Sequence, residues 1–173
     1  MTALTHFVSL HIAVLTVSDT RSRDNDSSGD YLEQALHAAG HHIAAREIVN
    51  DDVYRMRAIV SQWIADTAID GVLITGGTGF TGRDSTPEAI LPLLDKEMPG
   101  FGELFRAISV TEIGTAGLQS RAFAGLANAT FLFALPGSTS ACRTAWENIL
   151  QAQFDARTRP CNLVGLKPRL HEH

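Results

Sequence analysis

At 173 residues, with 45% hydrophobic and 19% charged side chains, the chain is long enough to bury a sizeable core and too apolar for a disordered segment. Its formal net charge of −5 gives no support for broad binding to nucleic acid or anionic membrane, yet a small phosphorylated ligand needs only a local positive site. No apolar run approaches the ~20 residues of a membrane span, and the start, Met1-Thr2-Ala3-Leu4-Thr5-His6, lacks the basic-then-apolar pattern of a signal peptide.

Cys142 and Cys161 have no metal or redox spacing and are not expected to pair. The cytoplasm is the expected location.

His11-Ile12-Ala13-Val14-Leu15-Thr16-Val17 reads as a buried strand, and the polar residues 18–28 as a loop. Residues 29–39 form a helical pattern with Leu32, Ala35, Leu36 and Ala39 on one face and Gly40 at its stop. Residues 43–49 read as a second strand. Asp51 or Asp52 is placed to cap a helix that turns Met56, Ile59, Val60, Trp63 and Ile64 inward. Residues 71–75 form a third strand, which runs into Thr75-Gly76-Gly77-Thr78-Gly79.

A helix is expected from about Thr86 to Asp95, with Pro87 in its first turn and Ser85 and Glu88 at capping-box spacing. Residues 99–106 open another helical region, and residues 130–135 form a fourth strand. Pro136-Gly137-Ser138-Thr139-Ser140 leads into a long helix ending near Phe154. From about residue 157 the sequence reads as an extended arm containing proline and basic residues. The alternation predicts one α/β domain over residues 1–173, a three-layer α/β/α arrangement with a mostly parallel central sheet.

In such sheets ligands bind beyond the carboxyl ends of the strands. Three loops collect there: residues 18–28, 75–84 and 136–140. Glycines at a strand end let backbone N–H groups approach an anion, and a following helix N-terminus adds favourable partial charge. Gly77-Thr78-Gly79-Phe80-Thr81-Gly82 formally matches a dinucleotide fingerprint. However, Asp84, Ser85 and Pro87 intervene before the helix, and Met98-Pro99-Gly100 stands where an acidic strand end is needed. A nicotinamide-dinucleotide oxidoreductase is therefore the weaker reading, and no Gly-Lys-Ser/Thr makes the loop a Walker A motif.

Whichever of Asp51 and Asp52 is not the cap stands over the same edge as Asp84. Two carboxylates there are placed to hold Mg²⁺ against a triphosphate. Ser18, Asp19 and Arg21 end the first strand with polar groups and a guanidinium; an exposed loop is the plainer alternative. Gly137 and Ser138 either begin an anion-binding helix or form an ordinary capped turn. Arg106 and Arg121 carry the donor fork suited to phosphate. Trp63 and Trp146 read as core, and His37, His41 and His42 as helix-end residues.

Thr16-Val17-Ser18-Asp19-Thr20-Arg21, Thr75-Gly76-Gly77-Thr78-Gly79, Arg83-Asp84-Ser85-Thr86-Pro87-Glu88-Ala89 and Leu135-Pro136-Gly137-Ser138 resemble the molybdopterin-binding MoaB/Mog family in order and spacing. Gly100-Phe101-Gly102-Glu103, Glu112-Ile113-Gly114-Thr115 and Ala141-Cys142-Arg143-Thr144-Ala145-Trp146 resemble its MoaB branch. The resemblance implies a role in molybdenum cofactor biosynthesis, with ATP and molybdopterin as substrates, Mg²⁺ as cofactor, and a homotrimer or a pair of stacked trimers.

Active members of the family transfer the adenylyl group of ATP to the terminal phosphate of molybdopterin. Their two required aspartates map to Asp51 and Asp84. Some members of the MoaB branch lack that pair, whereas this chain has both. A non-catalytic molybdopterin-binding or scaffolding protein is the alternative that the branch implies. On this resemblance Gly76, Gly77, Thr78, Gly79, Gly137 and Ser138 would cradle phosphates, and Ser18, Asp19 and Arg21 would line the pterin or phosphate side.

Overall fold

The computed structural model of the protein describes residues 6–170 and 172. Residues 1–5, most of the stretch read above for a signal peptide, and His171 and His173 lie outside the described residues. The elements are β1 (His11–Val17), α1 (Ser27–Ala38), β2 (His42–Val49), α2 (Val53–Ala65), β3 (Gly71–Thr75), α3 (Thr86–Ile90), β4 (Lys96–Glu97), α4 (Pro99–Ile113), β5 (Phe123–Ala127), β6 (Thr130–Leu135) and α5 (Thr139–Ala145). A π-helical turn at Trp146–Leu150 and a last turn, α6 (Gln151–Gln153), continue α5.

The six strands form one sheet in the order β2-β1-β3-β6-β5-β4. The first four run parallel, and β5 and β4 are antiparallel additions at one edge. The expected α/β architecture with a mostly parallel sheet is what the chain forms.

Alternation along the strands divides the interior in two, because successive side chains point to opposite faces. Ile12, Val14, Leu73, Phe131, Phe133 and Leu135 face α1, α4 and α5, where they meet Leu32, Leu36, Phe105 and Trp146. Ala13, Leu15, Val72, Ile74, Leu132 and Ala134 face α2, where they meet Met56, Val60 and Trp63. Side chains as fully buried as Leu73 and Phe133 each stabilise the fold by about 1.5–3 kcal/mol.

The structure corrects the reading of the chain at four places. β5 pairs with β6 through a two-residue turn, Asn128-Ala129, with φ of 46° and 64°, the geometry of a tight hairpin. Alanine in place of the usual glycine hid that turn. α1 begins at Ser27, because the buried Asp26 accepts the Gly29 N–H at 3.1 Å as its N-cap.

α3 ends at Ile90 and passes into a 3₁₀ turn over Leu91–Leu93, since Pro92 cannot continue an α-helix. The tail is not an extended arm. Leu163 and Val164 are buried in the core, a 3₁₀ helix spans Val164–Arg169, and Lys167 pairs with Asp70. Two adjacent apolar residues were the reason for the tail to fold back. Among the described residues no helix is long and apolar enough to cross a membrane.

β1 has β2 on one side and β3 on the other. The connections leaving β1 and β3 therefore diverge to opposite faces, and a crevice opens at their carboxyl ends.

Candidate active site

That crevice is a cleft of about 460 Å³. Ser18 and Arg21 from the loop after β1, Gly76, Gly77, Thr78, Gly79 and Asp84 from the loop after β3, and Gly137 and Ser138 from the loop after β6 all line it. The opposite wall, from α4, the turn after it and α5, contributes Phe105, Ser109, Glu112, Ile113, Ala116, Ser140, Ala141 and Thr144. The first group is the set of loop residues that the sequence brought to this edge, and Ser140 belongs to the same 136–140 loop; the other wall residues were not singled out, because their helical and turn segments carry no local signal of exposure to a ligand.

Of the two candidate caps of α2, Asp52 does the capping: its Oδ1 accepts the N–H groups of Tyr54 and Arg55, both at 2.9 Å. Asp51 is thereby released to the loop after β3. Its Oδ1 accepts the Ser85 N–H at 3.1 Å and also the Ser85 hydroxyl. Ser85 makes no side-chain cap for α3, and the reciprocal half of the capping box is lost too: Asp51 accepts the Ser85 N–H that Glu88 would take, and Glu88 pairs with Arg121.

Two carboxylates lie against the glycine loop. Oδ2 of Asp51 lies 2.7 Å from the point a β-carbon on Gly77 would occupy, and Oδ2 of Asp84 lies 2.8 Å from the corresponding point on Gly79. At Gly77 the φ of 64° and the Thr86 Oγ1, 2.4 Å from the same point, also demand glycine, whereas at Gly79 a side chain would have to push the Asp84 carboxylate aside. Gly76 is fixed by its backbone: φ is 109°, and a β-carbon would stand 2.2 Å from the Val17 carbonyl oxygen.

The N–H of Thr81 and its hydroxyl donate to Asp84 Oδ2 at 2.8 and 2.6 Å. The N–H groups of Gly77 and Thr78 carry no hydrogen bond among the described residues and are free to donate to a ligand.

The two carboxylates differ electrostatically. For Asp84, partial burial pushes the pKa up, but the hydrogen bonds from Thr81 and the Arg121 charge outweigh it, so the value lies below the ordinary aspartate range. For Asp51, burial likewise pushes up. The Ser85 bonds pull down, but the nearby charges of Asp84 and Asp19 add to burial and the value ends above the ordinary range. Like charges gathered in this way favour a cation between them.

Among the described residues no three His, Cys, Asp or Glu side chains form a closed metal cage. A divalent ion that keeps waters and substrate phosphates as ligands needs only one or two carboxylates, which is what this edge offers.

Asp19 and Asp51 do not line the cleft itself. Asp19 pairs with Arg83 and accepts the Asn50 side-chain N–H and the Asp51 backbone N–H, both at 3.3 Å, so it buttresses the loop that carries Asp51. Arg21 does enter the cleft. Its Nη1 donates to Asp26 at 3.3 Å and to Ser28, and its Nη2 to the Gly137 carbonyl at 2.9 Å. Nε and one Nη2 hydrogen remain for a ligand. Ser138 caps α5, accepting the Ala141 N–H at 3.2 Å, which leaves the Thr139 and Ser140 amides at the helix start unpaired within it.

The arginines expected on phosphate have other work. Arg121 braces the glycine loop, donating to the carbonyls of Gly79 and Asp84, both at 2.7 Å, and pairing with Glu88. Arg106 holds the Ala122 carbonyl at 2.9 Å.

Comparison with known proteins agrees with this architecture. Residues 13–156 match a family model described as "Probable molybdopterin binding domain". The molybdenum cofactor biosynthesis protein B of Escherichia coli K12 is 58% identical over 158 residues, covering 91% of this chain and 93% of that one. Its Bacillus subtilis counterpart is 48% identical over 138 residues, covering 79% and 81%.

A crystal structure of a molybdenum cofactor biosynthesis protein B superposes with a TM-score of 0.86 at 38% identity, over 96% of this chain and 98% of that one. The tungsten cofactor synthesizing protein MoaB of Pyrococcus furiosus gives 0.74 at 39%, over 82% and 90%. With the family model spanning most of its length and such relatives matching nearly end to end, the chain belongs to the molybdenum cofactor biosynthesis protein B family.

Proposed function

We propose that the cleft binds molybdopterin beside ATP and transfers the adenylyl group to the pterin's terminal phosphate. The observation that carries this reading is the glycine loop, with Asp51 and Asp84 against it, lining a cleft large enough for a small ligand. An oxygen of the molybdopterin phosphate attacks the α-phosphorus of ATP, the bond to the β,γ-diphosphate breaks, and pyrophosphate leaves. The nucleophile is already an anion, so no strong general base is needed.

The requirement is to hold two anionic groups together in line, by fixed donors in a partly desolvated site. The free amides of Gly77 and Thr78, the start of α5 beyond Ser138, and the unused donors of Arg21 supply them. Asp51 and Asp84 would hold Mg²⁺, which neutralises phosphate charge when bound. Ser18 and Asp19 support the same edge.

We place the activity in the cytoplasm and in a homo-oligomer, a trimer or a pair of stacked trimers. Leu104, Val110, Ile113 and Leu118, all large and exposed on α4 and the turn after it, supply apolar surface for assembly. Light scattering on wild type and Leu118→Glu checks this.

The test of the chemistry is pyrophosphate release from ATP and Mg²⁺, with and without molybdopterin. Release should depend on molybdopterin and fall at least a hundredfold in Asp84→Ala. Bound molybdopterin without release in wild type would replace the enzyme reading with that of a binding protein.

A further inference from the structure

The wall of the cleft opposite the glycine loop holds a carboxylate that the phosphate chemistry does not use. Glu112 lies in the last turn of α4 and lines the cleft. A negative charge there faces the negative end of the helix dipole. α4 has no basic residue in that turn, and Glu112 makes no ion pair among the described residues.

Its one hydrogen bond comes from the Thr144 hydroxyl, 2.6 Å from Oε2. That hydroxyl has a single proton, and the competing Ser140 carbonyl lies farther away, at 3.1 Å. Thr144 is buried at 6% exposure, so the carboxylate is held in orientation without being neutralised. Glu112 is otherwise open to solvent, and Phe105, Ile113, Ala116 and Ala141 add apolar groups to the lining of the same cleft.

A fixed, unneutralised carboxylate in a cleft that also carries apolar lining suits a flat ring that offers two adjacent N–H donors. The 2-amino-4-oxo-pyrimidine edge does so with its ring N3–H and exocyclic 2-amino group. The adenine edge offers one donor beside an acceptor nitrogen, which a carboxylate repels. We infer that Glu112 reads the 2-amino-4-oxo-pyrimidine edge of the pterin ring, placing the ring at the α4 end of the cleft and the nucleotide phosphates at the Asp51 and Asp84 end. The inference rests on reading the cleft as a molybdopterin site and adds which end takes the ring and which residue discriminates.

The experiment is a fluorescence titration without ATP, using 6-hydroxymethylpterin phosphate and its lumazine counterpart, in which a 2-oxo group replaces the 2-amino group. Wild type should prefer the pterin by about tenfold or more, the loss expected when a bond to a charged acceptor is removed. Glu112→Gln keeps an oxygen for Thr144 but puts a donor in place of one acceptor, so the preference should fall towards unity. Glu112→Asp should retain part of it.

An unchanged preference in the Gln variant, or equal weakening of both ligands, would overturn the assignment. Guanosine monophosphate carries the same edge; if it displaced the pterin more effectively than adenosine monophosphate and bound more tightly than the pterin itself, the ring end would belong to a purine and the inference would fall. Wild type that binds neither pteridine would overturn the molybdopterin reading along with it. Binding without discrimination would sink the role of Glu112 alone.

Discussion

Asp26 is fully buried and joins three parts of the site's support: the end of β1, the start of α1 and the edge strand β2. It accepts from the Thr16 hydroxyl at 2.7 Å, from the Gly29 amide at 3.1 Å, from Arg46 at 3.0 Å and from Arg21 at 3.3 Å. Replacing it with alanine removes a helix cap, a loss of about 1 kcal/mol. It also leaves buried charge short of its partner, which costs about 3–5 kcal/mol.

Arg46 retains Asp30 and Glu33, and Arg21 retains Ser28 and the Gly137 carbonyl, so the lower end of that range applies. The total is about 4 kcal/mol, or a fall in Tm of about 8–16 °C for a chain of this size. Calorimetry at one fixed protein concentration measures it, since the Tm of an oligomer moves with concentration.

Asp26→Asn keeps the cap and should lose about 1 kcal/mol less. For Asp26 itself, burial pushes the pKa up, but the bonds from Thr16, Arg46 and Gly29 prevail and hold it below 3.8. A depressed folded value means that its stabilisation is complete above about pH 4 and is lost as pH falls through the folded pKa. The gap between wild type and Asp26→Asn should therefore narrow in acid. An alanine variant that melts within 3 °C of wild type would refute the hub.

Gly76→Ala would push a β-carbon to 2.2 Å from the Val17 carbonyl at a φ of 109°; it should cost about 3 kcal/mol or more, and an unchanged urea midpoint would contradict that. Burial pushes the Cys142 thiol up to about 11 while Cys161 is exposed, so a disulfide-exchange reagent at pH 8 should count one thiol per native chain and two in guanidinium. Ala129→Gly removes the left-handed cost at φ 64°, about 1 kcal/mol, against roughly half that in added chain entropy, so the denaturation midpoint should rise slightly rather than fall.

Much of this molecule is written in short-range pattern. The buried parallel strands β1, β3 and β6 are continuous apolar runs, and the loops that leave them are the polar and glycine-rich segments, so the edge that carries the site could be located from the chain alone. What could not be read depends on competition between distant groups. Asp52 and not Asp51 became the cap, and Asp51 instead of Glu88 accepts the Ser85 N–H, because the fold brings the loops after β2 and β3 together. Arg121 looked like a phosphate ligand by residue type, but two loop carbonyls 37 and 42 residues away claim it. Glu112 and Thr144 lie 32 positions apart on helices whose periodicity says only that they have a buried face.

Asp26 and Asp51 are both partly or wholly removed from water, yet their surroundings push them in opposite directions. Asp26 is met by two guanidiniums. Asp51 is met by Ser85 and by two other carboxylates, so its folded pKa is raised. A raised value means that the ionised form costs stability at neutral pH, and that this cost disappears as pH falls below the unfolded value near 3.8.

Asp51→Asn retains an oxygen for the two Ser85 donors and removes the charge. The variant should melt at a higher temperature than wild type at pH 7, with the advantage vanishing in acid, while molybdopterin-dependent pyrophosphate release is lost. Millimolar Mg²⁺ should raise the Tm of wild type and leave the variant unmoved, because only the ionised pair gains from a cation. A variant that is less stable at pH 7, or equally stabilised by Mg²⁺, would show that Asp51 is a structural bond to Ser85 and no part of a cation site.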